Sequence, residues 1–308
     1  MKKVFSALLI TTIALALSSC SGLIRKTVLK TVDPYFHGPG IDGSQFEQLT
    51  ENIYTFRWNW YRNLIIRTDE GLVIIDPMNR DMSVALKREL DQRFPNEKVN
   101  TLIYSHYHLD HTKGGDVFSP KEVIAHSKSP HYWKDFDTHE VLKPTRYISG
   151  DTVLQIGGVE IRAVYLGLSH TDTLYAFHIP SARLVFAPDL GFVKAVQPVG
   201  VPDRYSPGYL RAMNKVIAID FDTFVASHFG YGVKQDLVNW RDMLETGRSL
   251  ARQAIKKYNT PGLTKHQMGK YFDEVYYPMR KQYGNWHGFN EMYIINLIRD
   301  ITGESLGY

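Results

Sequence analysis

The chain has 308 residues, enough to bury a sizeable core in one large domain or two small ones. With 44% hydrophobic, 22% charged and 13% aromatic side chains, and no low-complexity tract or long like-charge run, its composition is that of an ordinary globular protein. The formal charge is +4, half of it from Lys2 and Lys3, which is too weak a bias for a nucleic-acid-binding face and excludes nucleic acid as an expected partner.

The chain opens on "MKKVFSALLITTIALALSSC". Lys2 and Lys3 precede an uncharged apolar run, Val4 to Leu17, that is short for a bilayer span and ends in small residues. Residues 1–19 are therefore predicted to be a secretory signal. The terminal "LSSC" is similar to the lipobox of bacterial lipoproteins, which implies cleavage after Ser19, lipidation of Cys20 and attachment to a membrane. An ordinary signal peptide cut near Ser19 is the alternative. Ser21 stands where an aspartate would favour retention in the inner membrane, so the expected location is the periplasmic face of the outer membrane in a Gram-negative source. Cys20 is the sole cysteine, so the mature domain has no disulfide and no thiolate to bind metal or attack a substrate. Its nucleophile has to be a hydroxyl, a carboxylate or an activated water.

Residues 20–45 include the Pro- and Gly-rich "DPYFHGPGIDG" and read as a tether with a short packed end. Then "NIYTFRW" and "RNLIIRT" are β-prone, and "DEG" turns the chain into "LVIID" at 72–76, suggesting an antiparallel start to a sheet. Met82, Leu86, Leu90 and Phe94 recur every four residues and predict an amphipathic helix over 81–94. "VNTLIYS" at 99–105 predicts a buried strand. "DTVLQIGGVEIRAVYL" and "TLYAFHIPSARLVFAPD" predict two hairpins, "TFVASH" at 223–228 a further strand, and 235–258 a helix with Leu237, Trp240, Leu244, Ala251 and Ala254 on one face. Thr264 and Gln267 form a capping box, with Leu263 and Met268 as its staple. Pro278 is expected to kink that helix and Gly284 to end it, and Ile294, Leu297, Ile298 and Ile301 mark a last one.

The strand at 99–105 delivers "SHYHLDH", which packs His106, His108, Asp110 and His111 into six positions. Such a cluster at the C-terminal end of a strand is where α/β proteins place their sites. Three more metal-capable side chains stand just beyond predicted strands: His170 in "LGLSHTD", Asp189 in "VFAPDLG" and His228 in "VASHFG". Independent surface residues would not track strand ends. The other seven histidines, at 37, 126, 131, 139, 178, 266 and 287, have no such spacing and are read as surface or structural.

These motifs, over roughly residues 46–232, resemble the metallo-β-lactamase superfamily, whose hallmark is HxHxDH followed by a distant His, an Asp or Cys, and a final His. The resemblance implies an α/β fold, an αβ/βα four-layer sandwich of two mixed sheets with helices outside, over residues 46–258, followed by a helical extension over 259–308. It further implies that His106, His108 and His170 hold one metal ion, that Asp110, His111 and His228 hold a second, and that Asp189 bridges them. Asp76, after "GLVII", fits the superfamily's early aspartate, which supports the metal loop without binding metal. Two divalent ions are the implied cofactor, zinc by default with iron or manganese as alternatives. The chain departs from the commonest pattern at "ASHFG", where Ser227 and Phe229 replace glycines and are expected to crowd the second site.

The expected function is that of a lipid-anchored dinuclear hydrolase, in which a hydroxide bridging the ions attacks an ester, thioester or lactone and Asp110 carries a proton. The reasons are Asp189, where many β-lactam-cleaving members have a cysteine, and the aromatic "RWNWYR" at 57–62, a possible apolar wall for a small-molecule substrate. A periplasmic β-lactamase and a non-catalytic metal-binding scaffold lipoprotein are the alternatives.

Overall fold

The computed structural model describes residues 30, 32–198, 203–258 and 269–307. Strands β1 (Ser44–Gln48), β2 (Ile53–Trp58), β3 (Tyr61–Thr68) and β4 (Gly71–Ile75) form an antiparallel meander. Helix α1 (Arg80–Arg93) then crosses over to the parallel strands β5 (Val99–Ile103), β6 (Glu122–His126) and β7 (Arg146–Ile148), giving a mixed sheet in the order β1 to β7. A second sheet holds β8 (Thr152–Ile156), β9 (Val159–Tyr165), β10 (Tyr175–Ile179), β11 (Leu184–Phe186), β12 (Thr223–Val225) and β13 (Tyr231–Val233) in reverse spatial order. It is antiparallel except between β11 and β12, the pair whose connection carries helix α2 (Ser206–Ile217). Helices α3 (Lys234–Tyr258), α4 (Tyr277–Tyr283) and α5 (Phe289–Leu306) complete the chain.

Alternation along the second sheet divides the interior in two. Tyr175, Phe177 and Ile179 of β10 face the first sheet, as do Leu184 and Phe186 of β11, while Leu174, Ala176, Val185 and Ala187 face the helices. Strands β3, β4 and β5 have apolar runs because both their faces are covered, by the second sheet on one side and by Met82, Leu86 and Leu90 of α1 on the other. Asn79 starts that helix, its side chain accepting from the Met82 backbone N–H. The layers are helix, sheet, sheet, helices: the predicted αβ/βα sandwich, with the predicted helical region at its C-terminal end.

The strands and helices anticipated in the sequence are present, while β1, β6, β7, β13 and α2 had no anticipated counterpart. A π-helical turn at Phe272–Tyr276 precedes α4, so the disturbance expected of Pro278 takes the form of a widened turn just before it, and Gly284 ends the helix. The capping box at Thr264 and Gln267, with Leu263 and Met268, lies outside the described residues, as do residues 1–29. Among the described residues no helix is long and apolar enough to cross a membrane.

Residues 32–36 form a helical turn that lies against the second core. Tyr35 is fully buried there, edge-on to Phe229 and stacked on His287, with its hydroxyl donating to the Val196 carbonyl at 2.7 Å. Gly288 makes room for it, since a Cβ at that position would stand 2.1 Å from the tyrosine ring.

Candidate metal centre

All the expected ligands project from one edge of the sandwich. His106, His108, Asp110 and His111 follow β5, His170 follows β9, Asp189 follows β11 and His228 follows β12. Two backbone seams join the sheets at this edge. The Tyr175 N–H donates to the Ser105 carbonyl at 2.9 Å, and the hairpin tip between β2 and β3 pairs with the His228 loop through Arg62 N–H to Ser227 O (2.7 Å) and Phe229 N–H to Trp60 O (2.8 Å). Gly114 lets the metal loop close against the start of α1, because a Cβ there would lie 2.7 Å from the Arg80 Cα.

The seven side chains meet around Asp189. Its Oδ2 lies 3.5 Å from His106 Nε2, 3.1 Å from His111 Nε2 and 3.2 Å from His170 Nε2, while its Oδ1 lies 2.8 Å from His228 Nε2. Two clusters share this centre. In one, His106, His108, His170 and Asp189 each present a ligand atom within 4.8 Å of the others; in the second, Asp110, His111 and His228 do so. A third cluster adds Asp76 to His106 and His111. Asp76 has its oxygens taken, however: Oδ1 accepts from the Ser105 N–H (2.7 Å), and Oδ2 accepts from the Ser105 hydroxyl (2.6 Å) and faces His111 Nδ1 at 2.9 Å.

Those hydrogen bonds decide where the imidazole lone pairs point. A carboxylate only accepts, so His111 carries a proton on Nδ1 and, in its neutral form, turns a bare Nε2 to the centre. The Ser105 hydroxyl gives its proton to Asp76 and lies 2.8 Å from His106 Nδ1, which therefore donates and leaves Nε2 bare as well. His108 is set the opposite way: its Nε2 faces Asp203 Oδ2 at 3.0 Å, leaving Nδ1 bare at 3.1 Å from His170 Nε2. His106 Nε2 and His111 Nε2 are buried without a hydrogen-bond partner. Buried acceptors converging on a carboxylate with nothing to accept from are unfavourable in a protein alone and fit a cation. Burial and the neighbouring imidazoles hold His106 well below its usual pKa, and burial lowers His170. At His111 burial is outweighed by the facing Asp189 and Asp110, which raise it well above the usual value, so that in the absence of a cation the carboxylate centre draws a proton onto His111. Burial alone would raise Asp189, but the facing His111, His228 and His170 outweigh it and hold the carboxyl well below the usual range.

The backbone around the centre is strained where function needs it. Asp76, Met78, Asp189 and Phe229 hold positive φ of 64°, 70°, 52° and 59°, at a cost of about 1–3 kcal/mol each. Tyr209 secures the Asp189 carbonyl at 2.5 Å. Ser227 does not crowd the site as expected. It lies behind Asp189, accepting from its N–H at 3.1 Å and donating to its Oδ1 at 2.8 Å, so it orients that carboxylate. Phe229 turns away onto Tyr35 and His287.

A cavity of about 150 Å³ opens over the centre, walled by Phe36, Trp60, Phe192, Gln197 and Pro198. Trp60 lies flat on His228, with ring centroids 4.2 Å apart and planes at 16°. The aromatic stretch at 57–62 thus reaches the cavity through Trp60. Asp203 was not singled out in the sequence. Burial opposes its charge, but the hydrogen bonds of His108 and Tyr107 outweigh burial and hold it down to about 2. Phe36 and Gln197 were equally unmarked, one in the supposed tether and the other in an apolar stretch.

Residues 63–228 match the sequence profile described as the Metallo-beta-lactamase superfamily, more than half of the chain. The 2,4-dinitroanisole O-demethylase subunit alpha of Nocardioides sp. (strain JS1661) is 28% identical over 187 residues, which are 59% of this chain and 57% of that protein. Among solved structures, a metallo-beta-lactamase from Pontibacter korlensis superposes with a TM-score of 0.58 at 16% identity, covering 66% of this chain and 99% of its own. The stereoselective inverting sec-alkylsulfatase Pisa1 from Pseudomonas sp. gives 0.68 at 14% identity over 86% of this chain and 50% of its own. The chain therefore spans about half the length of the curated relative and of the alkylsulfatase.

Proposed function

The chain belongs to the metallo-beta-lactamase superfamily, and from that premise we propose that it is a lipid-anchored, dinuclear metal-dependent hydrolase acting on ester, thioester or lactone substrates. The observation that carries this reading is Asp189, whose two oxygens stand between imidazoles of both ligand clusters, as a carboxylate shared by two cations must. His106, His108 and His170 would hold one ion and Asp110, His111 and His228 the other. Bound divalent ions, zinc by default with iron or manganese as alternatives, supply Lewis acidity and a water whose pKa falls from 15.7 toward about 7.

The protein's own part is to position and exclude. Asp76, Ser105 and Asp203 fix the tautomers of three ligands, and Ser227 and Tyr209 hold Asp189. Phe36, Trp60 and Phe192 wall one side of the cavity with apolar surface. Asp110 is the most exposed member of the cluster, its side chain 43% accessible, so it can pass a proton between the cavity and solvent. A shared carboxylate suits an oxygen or sulfur leaving group, which departs as an anion more readily than the nitrogen of an amide does. The names of the relatives favour a second reading of the same kind, cleavage of an alkyl sulfate or an aryl methyl ether, in which the group released is again an oxyanion.

Membrane attachment through Cys20, at the periplasmic face of an outer membrane, is supported by the "LSSC" motif. Cys20→Ser is expected to abolish lipid labelling and move the protein out of the membrane fraction. The activity is tested by kcat/KM on the metal-loaded domain with an aryl ester, an acyl thioester, a lactone, a secondary alkyl sulfate, an aryl methyl ether, a penicillin and a carbapenem. A preference for either β-lactam by more than about tenfold, or 1.4 kcal/mol of transition-state binding, overturns the substrate class. Two bound ions with no turnover of any of the seven would favour a scaffold instead.

A further inference from the structure

Gln197 lines the cavity beside the metal ligands, yet nothing in the metal chemistry uses it. It is 1% exposed, in the segment between Asp189 and α2. Asn296 of α5 donates to its backbone carbonyl at 3.0 Å, and Arg204 Nη1 lies 2.5 Å from its side-chain Oε1. Arg204 is itself buried, with Nη2 at 3.3 Å from both Ser206 Oγ and Asp300 Oδ1. Its charge is therefore balanced inside the protein.

This arrangement settles which end of the amide is which. A guanidinium has five donors and no acceptor, so only the amide oxygen can face Arg204. The –NH₂ group must point away from it, and Gln197 Nε2 has no acceptor among the described residues. Arg204 Nε and Asp300 Oδ2 of the same network also lack partners, but of the three residues only Gln197 lines the metal cavity. A buried amide whose oxygen is clamped and whose donors are unused is a preset hydrogen-bond donor.

We propose that Gln197 is a substrate-contacting residue: its Nε2–H donates to the oxygen on the substrate that carries or gains negative charge, the acyl oxygen of an ester or a sulfuryl oxygen of a sulfate ester. The proposal rests on the metallohydrolase reading above. It adds a neutral donor from a residue of the cavity wall, supplied by the segment after Asp189 and held in register by helix α5 through Asn296 and, by way of Arg204, Asp300. Clamping removes the rotamer freedom that a glutamine would otherwise lose on binding, so the donor is in place before the substrate arrives.

The test uses the metal-loaded enzyme and a readout besides turnover. Acetate and sulfate, as probes of the oxyanion, are titrated calorimetrically into wild type, Gln197→Glu and Gln197→Met, with a simple alkanethiol as a probe that needs only the metal. Glutamate keeps an oxygen for Arg204 and removes the donor; methionine removes the donor without adding charge. We expect both variants to bind the oxyanions at least tenfold more weakly and the thiol within twofold of wild type. Equal oxyanion affinity in wild type and Gln197→Met overturns the donor role, even if Gln197→Glu binds weakly through repulsion alone. If Gln197→Met does not fold, Gln197→Asn, which shortens the side chain by one methylene, takes its place with the same expectation. A wild type that takes up no metal overturns the metallohydrolase reading, and this proposal with it; thiol binding with unchanged oxyanion affinity overturns this proposal only.

Discussion

The two sheets contribute to the metal centre by different means. The first sheet delivers four candidate ligands on one continuous loop, and their orientation is set by hydrogen bonds. Asp76 binds the loop backbone and His111, Ser105 relays it to His106, and Asp203 holds His108. The second sheet delivers His170, Asp189 and His228 from three separate loops, and the outer nitrogens of its two histidines, His170 Nδ1 and His228 Nδ1, are buried without partners. His228 is held by rings instead, between Trp60 at 4.2 Å and Phe192 at 6.0 Å. The first-sheet histidines are oriented by polar bonds of fixed direction, whereas His228 on the second sheet is held by packing, which resists displacement but does not select a tautomer. The lesson is that one centre can be preorganised in two ways, and substitutions should separate them.

The largest effect is expected where the halves meet. Asp189→Ala leaves four imidazoles without their common carboxylate, and turnover should fall by orders of magnitude while the circular dichroism spectrum stays unchanged; unaltered kcat would show that Asp189 joins nothing. On the polar side, Asp76→Asn keeps the volume but cannot accept from all its donors. Its metal affinity should drop about 10–100-fold, measured by competition with a chromophoric chelator. On the packed side, Trp60→Ala should lower metal affinity by less than tenfold while raising KM and lowering stability by about 2 kcal/mol in denaturant unfolding. If Asp76→Asn and Trp60→Ala act alike, the distinction between the halves is wrong.

The effect most remote from turnover probes the polar network behind the packed half. Burial pushes the Asp300 carboxyl up to about 6, against the pull of Arg204, Arg248 and Arg299. A folded-state pKa above the unfolded value of about 3.9 means that its contribution to stability is full below pH 4 and lost as pH rises through 6. The stability difference between wild type and Asp300→Asn should therefore decline between pH 4 and pH 7, by no more than about 3 kcal/mol, and be flat above. A difference that is constant with pH would place the titration elsewhere.

The same contrast explains what could be read from the sequence. The first-sheet ligands are legible because they are contiguous, and Asp76 because it ends an apolar strand. His170, Asp189 and His228 are legible because each follows a strand whose own pattern is clear. Strands β1, β7 and β13 escape because they are short or exposed edges with little apolar signal. Helix α2 escapes because it opens on Ser206-Pro207-Gly208, residues that locally signal a turn. Ser227 was misread because spacing shows that a residue adjoins a ligand but not which side of it the hydroxyl occupies. Phe36 and Asp203 acquire their roles only through contacts between separate elements, Asp203 across more than ninety residues, and no local pattern encodes those. For Gln197 one faint signal existed: a single amide within the otherwise apolar "AVQPVG".

Stacking of Trp60 on His228 also gives the protein an optical consequence. The chain has five tryptophans, and among them only Trp60 lines the cavity. Its indole is stacked on an imidazole whose electronic character changes when that ring takes a cation. Emission from this one indole therefore reports the state of His228. A titration followed by fluorescence, repeated with Trp60→Phe to remove the signal, resolves events at one histidine of the seven-residue cluster without any added label.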